Sequence, residues 1–396
     1  MISTKELGAR ITTWRKRRKL TQAELAAGIG IARTTLVAVE NGHRRPSNRE
    51  LLALANALDV QVHELLKEHA VPGGVAPRFR LPSRPGVDKR VLEEAVETTR
   101  ALGARYWELE RLLGLQRVPA PLESIATYRV PGPGRWGDPL KAAEHAAHSA
   151  RSTMDLGDTP VFELEALLDV HAGLRIFHPE LDARIAAVYL WGDELGGCIS
   201  VNRRQPGELR RWRIAHALAH FLRDRERGEI LFSDERPRRD APEAFADRFA
   251  VEFLLPAPGV RKYFSDVSRA SRFTVADVLQ MAHFFGVTFD AVLVRLEELD
   301  LVPGGRESSV APGGFRVCEG EARLSPETNA PTPDLLPERC RLLALTAYHE
   351  ALISETELAE FLQCDRVEAR AAFDAKRTQG ALQLDLAFDL LGRRKQ

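Results

Sequence analysis

The chain is poor in cysteine: its 396 residues include only 4, namely Cys198, Cys318, Cys340 and Cys364, widely separated and with no C-x-x-C pair. That excludes both a dense disulfide framework and a zinc site built from cysteines, and it points to a reducing compartment. Long apolar runs are missing too. No stretch approaches the roughly 18 apolar residues that a membrane helix needs, and the opening segment is polar and basic with no apolar core. The expectation is a soluble, cytoplasmic protein without a membrane partner. Net charge is absent as well, since Lys plus Arg and Asp plus Glu both stand at 56. Neutrality alone would argue against nucleic acid, but an average hides local asymmetry. Residues 1–70 hold 12 Lys or Arg against 7 Asp or Glu, so one end is basic.

A chain of this length is expected to form two or three domains of roughly 100 to 200 residues each. Pro and Gly punctuate it at Val71–Arg90, Val118–Pro139, Val302–Gly314 and Ser325–Pro337, where a continuous helix is denied and connections are expected. From Val91 to about Leu115 apolar residues recur at helical spacing. Between Leu140 and Leu301 helical patterns alternate with β-like runs such as Arg184–Leu190 and Gly197–Val201, an α+β pattern.

Near the N-terminus, Thr21-Gln22-Ala23-Glu24 has the form of a capping box, so a helix should begin at Gln22. A Gly28-Ile29-Gly30 turn follows, and Ala32 to Glu40 reads as a second short helix with Leu36 and Val39 facing inward. Trp14-Arg15-Lys16-Arg17-Arg18-Lys19 before this unit and Asn41-Gly42-His43-Arg44-Arg45 after it offer cations to phosphates. The stretch LTQAELAAGIGIARTTLVAVENGHRRPSNRELLALANALDV closely resembles the XRE (Cro/repressor-like) helix-turn-helix family, over residues 7–68. That resemblance implies a recognition helix from about Arg33, with Arg33, Thr34 and Thr35 near base edges and Gln22 and Asn41 near the DNA backbone. Arg pairs with guanine and Thr meets a thymine methyl, so the side chains suit a double-stranded DNA operator. A module used only for protein contacts would share the same helices. A homodimer is expected, with half-sites about 34 Å apart.

In RWRIAHALAHFLR, His216 and His220 stand four apart, which puts both imidazoles on one helix face. The spacing alone is a weak signal. Downstream, Glu243 opens a second helical pattern, EAFADRFAVEFLLP, ended by Pro256, and can complete a two-histidine, one-glutamate set. Such a set leaves a fourth zinc position for water, as in catalytic sites. The order LGDTPVFELEALLDVHAGLRI, GGCISVN, RRWRIAHALAH and E-x-x-A-x-x-F-A-x-E-x-L-x-P resembles the ImmA/IrrE zinc metallopeptidase family over about residues 141–300. The resemblance implies Zn2+ bound by His216, His220 and Glu243, with Glu252 as the second choice for the carboxylate. It breaks at Ala217, where the family's H-E-x-x-H places the Glu that serves as general base. A methyl group cannot take a proton, and a lost base typically removes about 10²- to 10⁴-fold in rate. Either the domain has lost its chemistry naturally or the Glu was deliberately replaced.

His145 and His148 beside Glu144 read as a solvated helix face, and His171, His178, His283 and His349 as ordinary packed or surface histidines. After Cys340, two S/D-x-x-E starts at Ser354 and Asp365 predict a further helix-turn-helix-like pair, Leu358–Gln363 and Ala369–Lys376, read as packing or dimerising. The expected architecture is multidomain and mainly α with an α+β metallopeptidase core. Its segments are an all-α helix-turn-helix at 1–70, a linker at 71–90, a helix and loop at 91–137, the peptidase-like domain at 138–301, a linker at 302–337 and a helical tail at 338–396. The expected function is a DNA-binding transcriptional regulator whose second domain, in active form, cleaves a repressor-type protein or its own chain near Val71–Arg90. The competing expectation is a non-catalytic regulator whose pseudo-peptidase domain senses a ligand or partner.

Overall fold

The computed structural model describes residues 4–18, 20–58, 87–115, 139–192, 194–226, 228–233, 241–270, 273–302 and 333–378, with single positions 60, 62, 65 and 122. The chain forms two compact units, Met1–Ala76 and Pro77–Gln396. The linkers expected at 71–90 and 302–337, and the loop at 118–137, fall almost entirely outside the described residues.

The first unit comprises α1 (Thr4–Arg17), α2 (Gln22–Gly28), α3 (Arg33–Glu40) and α4 (Asn48–Leu58). Thr21 and Glu24 form the expected capping box, the Glu24 amide donating to Thr21 Oγ1 at 3.2 Å and the Thr21 amide to Glu24 Oε2 at 2.6 Å. Ser47 and Glu50 repeat the device before α4. Gly30, at φ +71°, makes the α2–α3 turn in a conformation that a Cβ would strain. Leu7, Ile11, Leu25, Leu36, Val39, Leu51, Leu54 and Leu58 close one apolar core. Gly8 lets α1 press on the end of α3, because a Cβ there would lie 2.3 Å from the Val39 carbonyl oxygen. Among the described residues of this small unit an ion pair is buried. Arg15 donates from Nε to Glu40 Oε1 at 2.6 Å and from Nη2 to Oε2 at 3.1 Å, while Gln22 Nε2 donates to Glu40 Oε2 at 2.7 Å.

The second unit opens with α5 (Lys89–Leu112), α6 (Pro139–Thr153) and α7 (Leu164–Ala172). A four-stranded sheet of β1 (Leu174–Phe177), β2 (Ile185–Gly192), β3 (Gly196–Val201) and β4 (Glu229–Phe232) follows, in the order β1-β3-β2-β4. β1 runs parallel to β3, and β2 runs antiparallel to both β3 and β4. Every residue of β2 is buried, because both faces of the sheet are covered. Ile185, Val188 and Leu190 pack under α5, whereas Ala187, Tyr189 and Trp191 join the main core. Gly103 lets α5 lie close to the sheet, since a Cβ there would meet Cys198 Sγ at 2.6 Å.

On the other face lie α8 (Gly207–Asp224) and α9 (Ala241–Leu254), followed by α10 (Ala257–Ala270), α11 (Val275–Phe285) and α12 (Phe289–Glu298). Phe245, Phe249 and Phe253 stack along α9 at one-turn spacing, with ring centroids 6.4 and 5.5 Å apart. The α9 carboxyl end is closed by two buried arginines, Arg151 donating to the Phe253 carbonyl at 2.5 Å and Arg295 to the Leu255 carbonyl at 3.1 Å. They satisfy carbonyls that a helix end leaves open. Among the described residues no single helix is long and apolar enough to cross a membrane.

The tail forms α13 (Glu338–His349), α14 (Glu355–Leu362) and α15 (Arg366–Thr378). Ser354 and Glu357 make a capping box, and Asp365 and Glu368 exchange similar bonds. α13 is tied to α5 and β1 by a polar cluster. Arg339 donates to Tyr106 Oη and Glu110 Oε1, both at 2.6 Å, and Arg175 donates to Glu110 Oε2 at 2.5 Å and lies over the Tyr106 ring. Burial beside this cluster pushes the Asp169 carboxyl up to about 6, against the pull of Arg339. A carboxyl raised in the folded state contributes stability below its ordinary value, and that stability is lost as pH rises through about 4 to 6. Asp169→Asn should therefore stabilise the protein by on the order of 2 kcal/mol at pH 7.5 and very little at pH 4. Denaturant unfolding at both pH values checks this, and an equal effect at each would contradict it.

Candidate metal centre and DNA-reading face

α8 carries His216 and His220 one turn apart on the face turned toward α9, and both are buried, at 3% and 1% exposure. Their Nε2 atoms converge to 3.2 Å. Glu243, in the first turn of α9, faces them with Oε2 at 3.4 Å from His216 Nε2 and Oε1 at 3.8 Å from His220 Nε2. The three side chains each place a ligand atom within 4.8 Å of the others. The second nitrogen of each ring is already engaged. His216 Nδ1 lies 3.1 Å from Asp247 Oδ1, and His220 Nδ1 lies 3.1 Å from Asp224 Oδ1. A carboxylate that accepts from Nδ1–H fixes the ring and its tautomer and leaves the Nε2 lone pair for a cation.

The electrostatics suit a cation. Burial opposes a proton on either imidazole, yet hydrogen bonds accepted by Asp247 and Glu243 raise His216 above its ordinary value, and those accepted by Asp224 and Glu229 carry His220 up to about 10. Glu243 Oε1 is buried with no hydrogen-bond partner. Two inward-turned imidazoles, a buried carboxylate oxygen without a partner, and an anchoring carboxylate behind each ring together make a donor set that fits zinc.

Glu252, the second choice for the ligating carboxylate, is engaged elsewhere, with Arg248 at 2.6 Å and Arg295 at 2.5 Å. Ala217 is 1% exposed and belongs to the main apolar core, so no side chain from that position reaches the site. His145 and His148 are exposed on α6, and His178 is buried against Glu165 at 2.9 Å. Three participants escape a reading of the motifs: Asp224, Asp247 and Glu229. The aspartates stand four residues beyond His220 and Glu243 on the same helices, a visible spacing that is equally common on solvated helix faces. Glu229 comes from a strand and has no local signal.

In the first unit, α3 buries Leu36, Val39 and Glu40 and leaves Arg33 and Thr34 exposed and Thr35 half-buried in its first turn. Asn41 ends the helix and is exposed, as are Arg44 and Arg45 just beyond it. Arg44 is steadied by Glu50 at 3.0 Å. Gln22 is drawn to Glu40 at the start of α2.

Residues 11–65 match the family described as helix-turn-helix, and residues 171–297 match the IrrE N-terminal-like domain, a peptidase family. The ImmF control region 10 kDa protein of Bacillus phage phi105 is 37% identical over 76 residues, 19% of this chain and 84% of that protein. The immunity repressor protein of the same phage is 32% identical over 87 residues, 22% of this chain and 60% of its own. The HTH-type transcriptional regulator YqaE of Bacillus subtilis is 43% identical over 53 residues, 13% of this chain and 46% of its own. ComR from Streptococcus suis covers 99% of this chain and 94% of its own at 12% identity, but a TM-score of 0.16 gives that match no structural weight. The N-terminal unit thus carries a helix-turn-helix domain of the kind found in transcription regulators, and the second unit carries an IrrE N-terminal-like domain of the peptidase family, the domain that turns His216, His220 and Glu243 toward one point.

Proposed function

We propose that this chain is a repressor-type transcriptional regulator that binds an operator through α3 and its flanks, and whose second unit holds a zinc ion without hydrolysing peptides. The observation that carries the reading is the convergence of His216, His220 and Glu243 beside a position, Ala217, that is a buried methyl group. Zinc, when bound, would supply a Lewis acid and acidify a coordinated water toward a pKa of about 7. His216 and His220 would hold it through Nε2, oriented by Asp247 and Asp224, and Glu243 would supply the negative charge. No carboxylate stands at position 217 to take up a proton and pass it to a leaving amine. The domain is then a metal-dependent sensor of a ligand or partner, coupled to a DNA reader that acts as a homodimer.

Metal analysis of the purified full chain and of His220→Ala tests the metal half. One zinc per chain is expected in the first and much less in the second, with no fragments by mass spectrometry after incubation with zinc. Absence of metal in the unaltered chain would sink the site assignment, and cutting of the chain or of a repressor-type protein would sink the non-hydrolytic reading. For the DNA half, Arg33→Ala should weaken operator binding by about 1–3 kcal/mol and relax base preference at one position. Arg45→Ala should weaken all sequences alike and lower the salt slope by about one. Binding titrations on specific and scrambled duplexes at several salt concentrations separate the two.

A further inference from the structure

The tail repeats the local geometry of the first unit position for position. Thr21 and Ser354 each open a capping box, closed by Glu24 and Glu357 three residues on. Leu25 and Leu358 come next and are buried, as are Ala26 and Ala359. At the same distance beyond each cap the chain turns through the left-handed region, at Gly30 with φ +71° and at Gln363 with φ +58°. Three residues later the second helix begins, with Arg33 in one unit and Arg366 in the other. Leu36 and Ala369, at matching places on these helices, are each 0% exposed and mark the inward faces.

A shared geometry does not by itself carry function, so the outward side chains decide. At the start of α15 these are Arg366, Val367 and Arg370, all exposed, in the places that Arg33, Thr34 and Val37 occupy on α3. Val367 is 78% exposed and the Arg370 side chain 69%. Arg pairs with guanine and an apolar group meets the thymine methyl, so the three suit base edges in a major groove. It is α13 that ties the tail to α5 and β1, which leaves this face of α15 open. The positions expected near the DNA backbone differ between the units. Glu355 stands where α2 has Gln22, and Asp374 where α3 is followed by Asn41. Carboxylates there repel phosphates, and Glu355 also lies 4.0 Å from Arg370.

We propose that α15 is a second base-reading element, which engages DNA through Arg366, Val367 and Arg370 only while the first unit holds the chain on the duplex. This rests on the operator reading above. Carried in the same chain, the tail meets the duplex at an effective concentration set by its tether, which replaces the affinity that phosphate contacts normally supply. Its contribution is discrimination between sequences, because base contacts specify whereas phosphate contacts position.

The test selects random duplexes with the full chain, with the double variant Arg366→Ala/Arg370→Ala and with Arg33→Ala, and then titrates each protein on a selected duplex. The unaltered chain should recover two different blocks of base preference. Arg33→Ala should alter the first and leave the second. The double variant should keep the first, lose the second and bind the selected duplex about 10-fold more weakly. Its binding to a duplex with the second block scrambled should match that of the unaltered chain. The proposal is overturned if the double variant selects and binds the same duplexes as the unaltered chain. It is also overturned if the double variant binds all sequences more weakly alike and loses oligomeric state, which makes α15 a contact between copies. In either case the operator reading survives. Failure of the unaltered chain to select any sequence overturns both.

Discussion

Glu40→Ala is expected to abolish operator binding although Glu40 is itself buried and is not one of the DNA-contacting residues. The Glu40 side chain is 3% exposed and accepts two bonds from Arg15 and one from Gln22. Removing it leaves the Arg15 guanidinium, itself 10% exposed, buried without its counter-charge. Breaking a buried pair on one side costs about 3–5 kcal/mol, against the roughly 5 kcal/mol that so small a domain can hold in reserve. The first helix, the start of α2 and the end of α3 would come apart together, because those are the elements the network joins. In the full chain, the N-terminal unit should become a substrate for limited proteolysis at 25 °C while residues 139–302 stay protected. Glu40→Gln, which keeps an acceptor, should fall between. Arg33→Ala, by contrast, should leave protease resistance unaltered and weaken binding only. Normal resistance in Glu40→Ala would show that the pair contributes nothing to folding.

The second large effect is on the other unit. A ligand that binds only the folded state stabilises it by about 4 kcal/mol at a thousandfold excess over its Kd. Zinc at that excess should raise the unfolding transition of the unit spanning 77–396 by roughly 10 °C, and a chelator should reverse the rise. The transition of the unit spanning 1–76 should not move, which makes it an internal control. His216→Ala should remove the increment. Asp247→Ala, which leaves all ligands in place but releases the His216 ring, should weaken metal binding by about 10- to 100-fold. Calorimetry with and without zinc reads all three. A zinc-induced rise of equal size in His216→Ala would place the ion elsewhere in the molecule.

The two halves of the protein differed in how plainly they could be read. The N-terminal unit is local: capping box, glycine turn and inward Leu36 and Val39 all lie within one short stretch, and each feature acts on its immediate neighbours. What stayed hidden there was the Arg15–Glu40–Gln22 network, whose members span 25 positions. In sequence its arginine is one more cation in a basic run, while in the fold it is a core residue. In the second unit, strand β4 was missed because four residues are too short for a period to declare itself.

The sequence by itself determined the kind of chemistry on offer. The four-position step from His216 to His220 puts both on one helix face, and the methyl group at Ala217 withholds a proton acceptor whatever the fold does. It also determined where helices begin, since Thr21, Ser354 and Asp365 act on amides three residues away. Only the tertiary structure decided what surrounds the imidazoles. Asp247 reaches His216 because α9 packs on α8, and Glu229 reaches His220 because pairing with β2 turns that face of β4 inward. Such neighbours are set by packing and strand register, which depend on contacts far apart in the chain and leave no local periodicity to read.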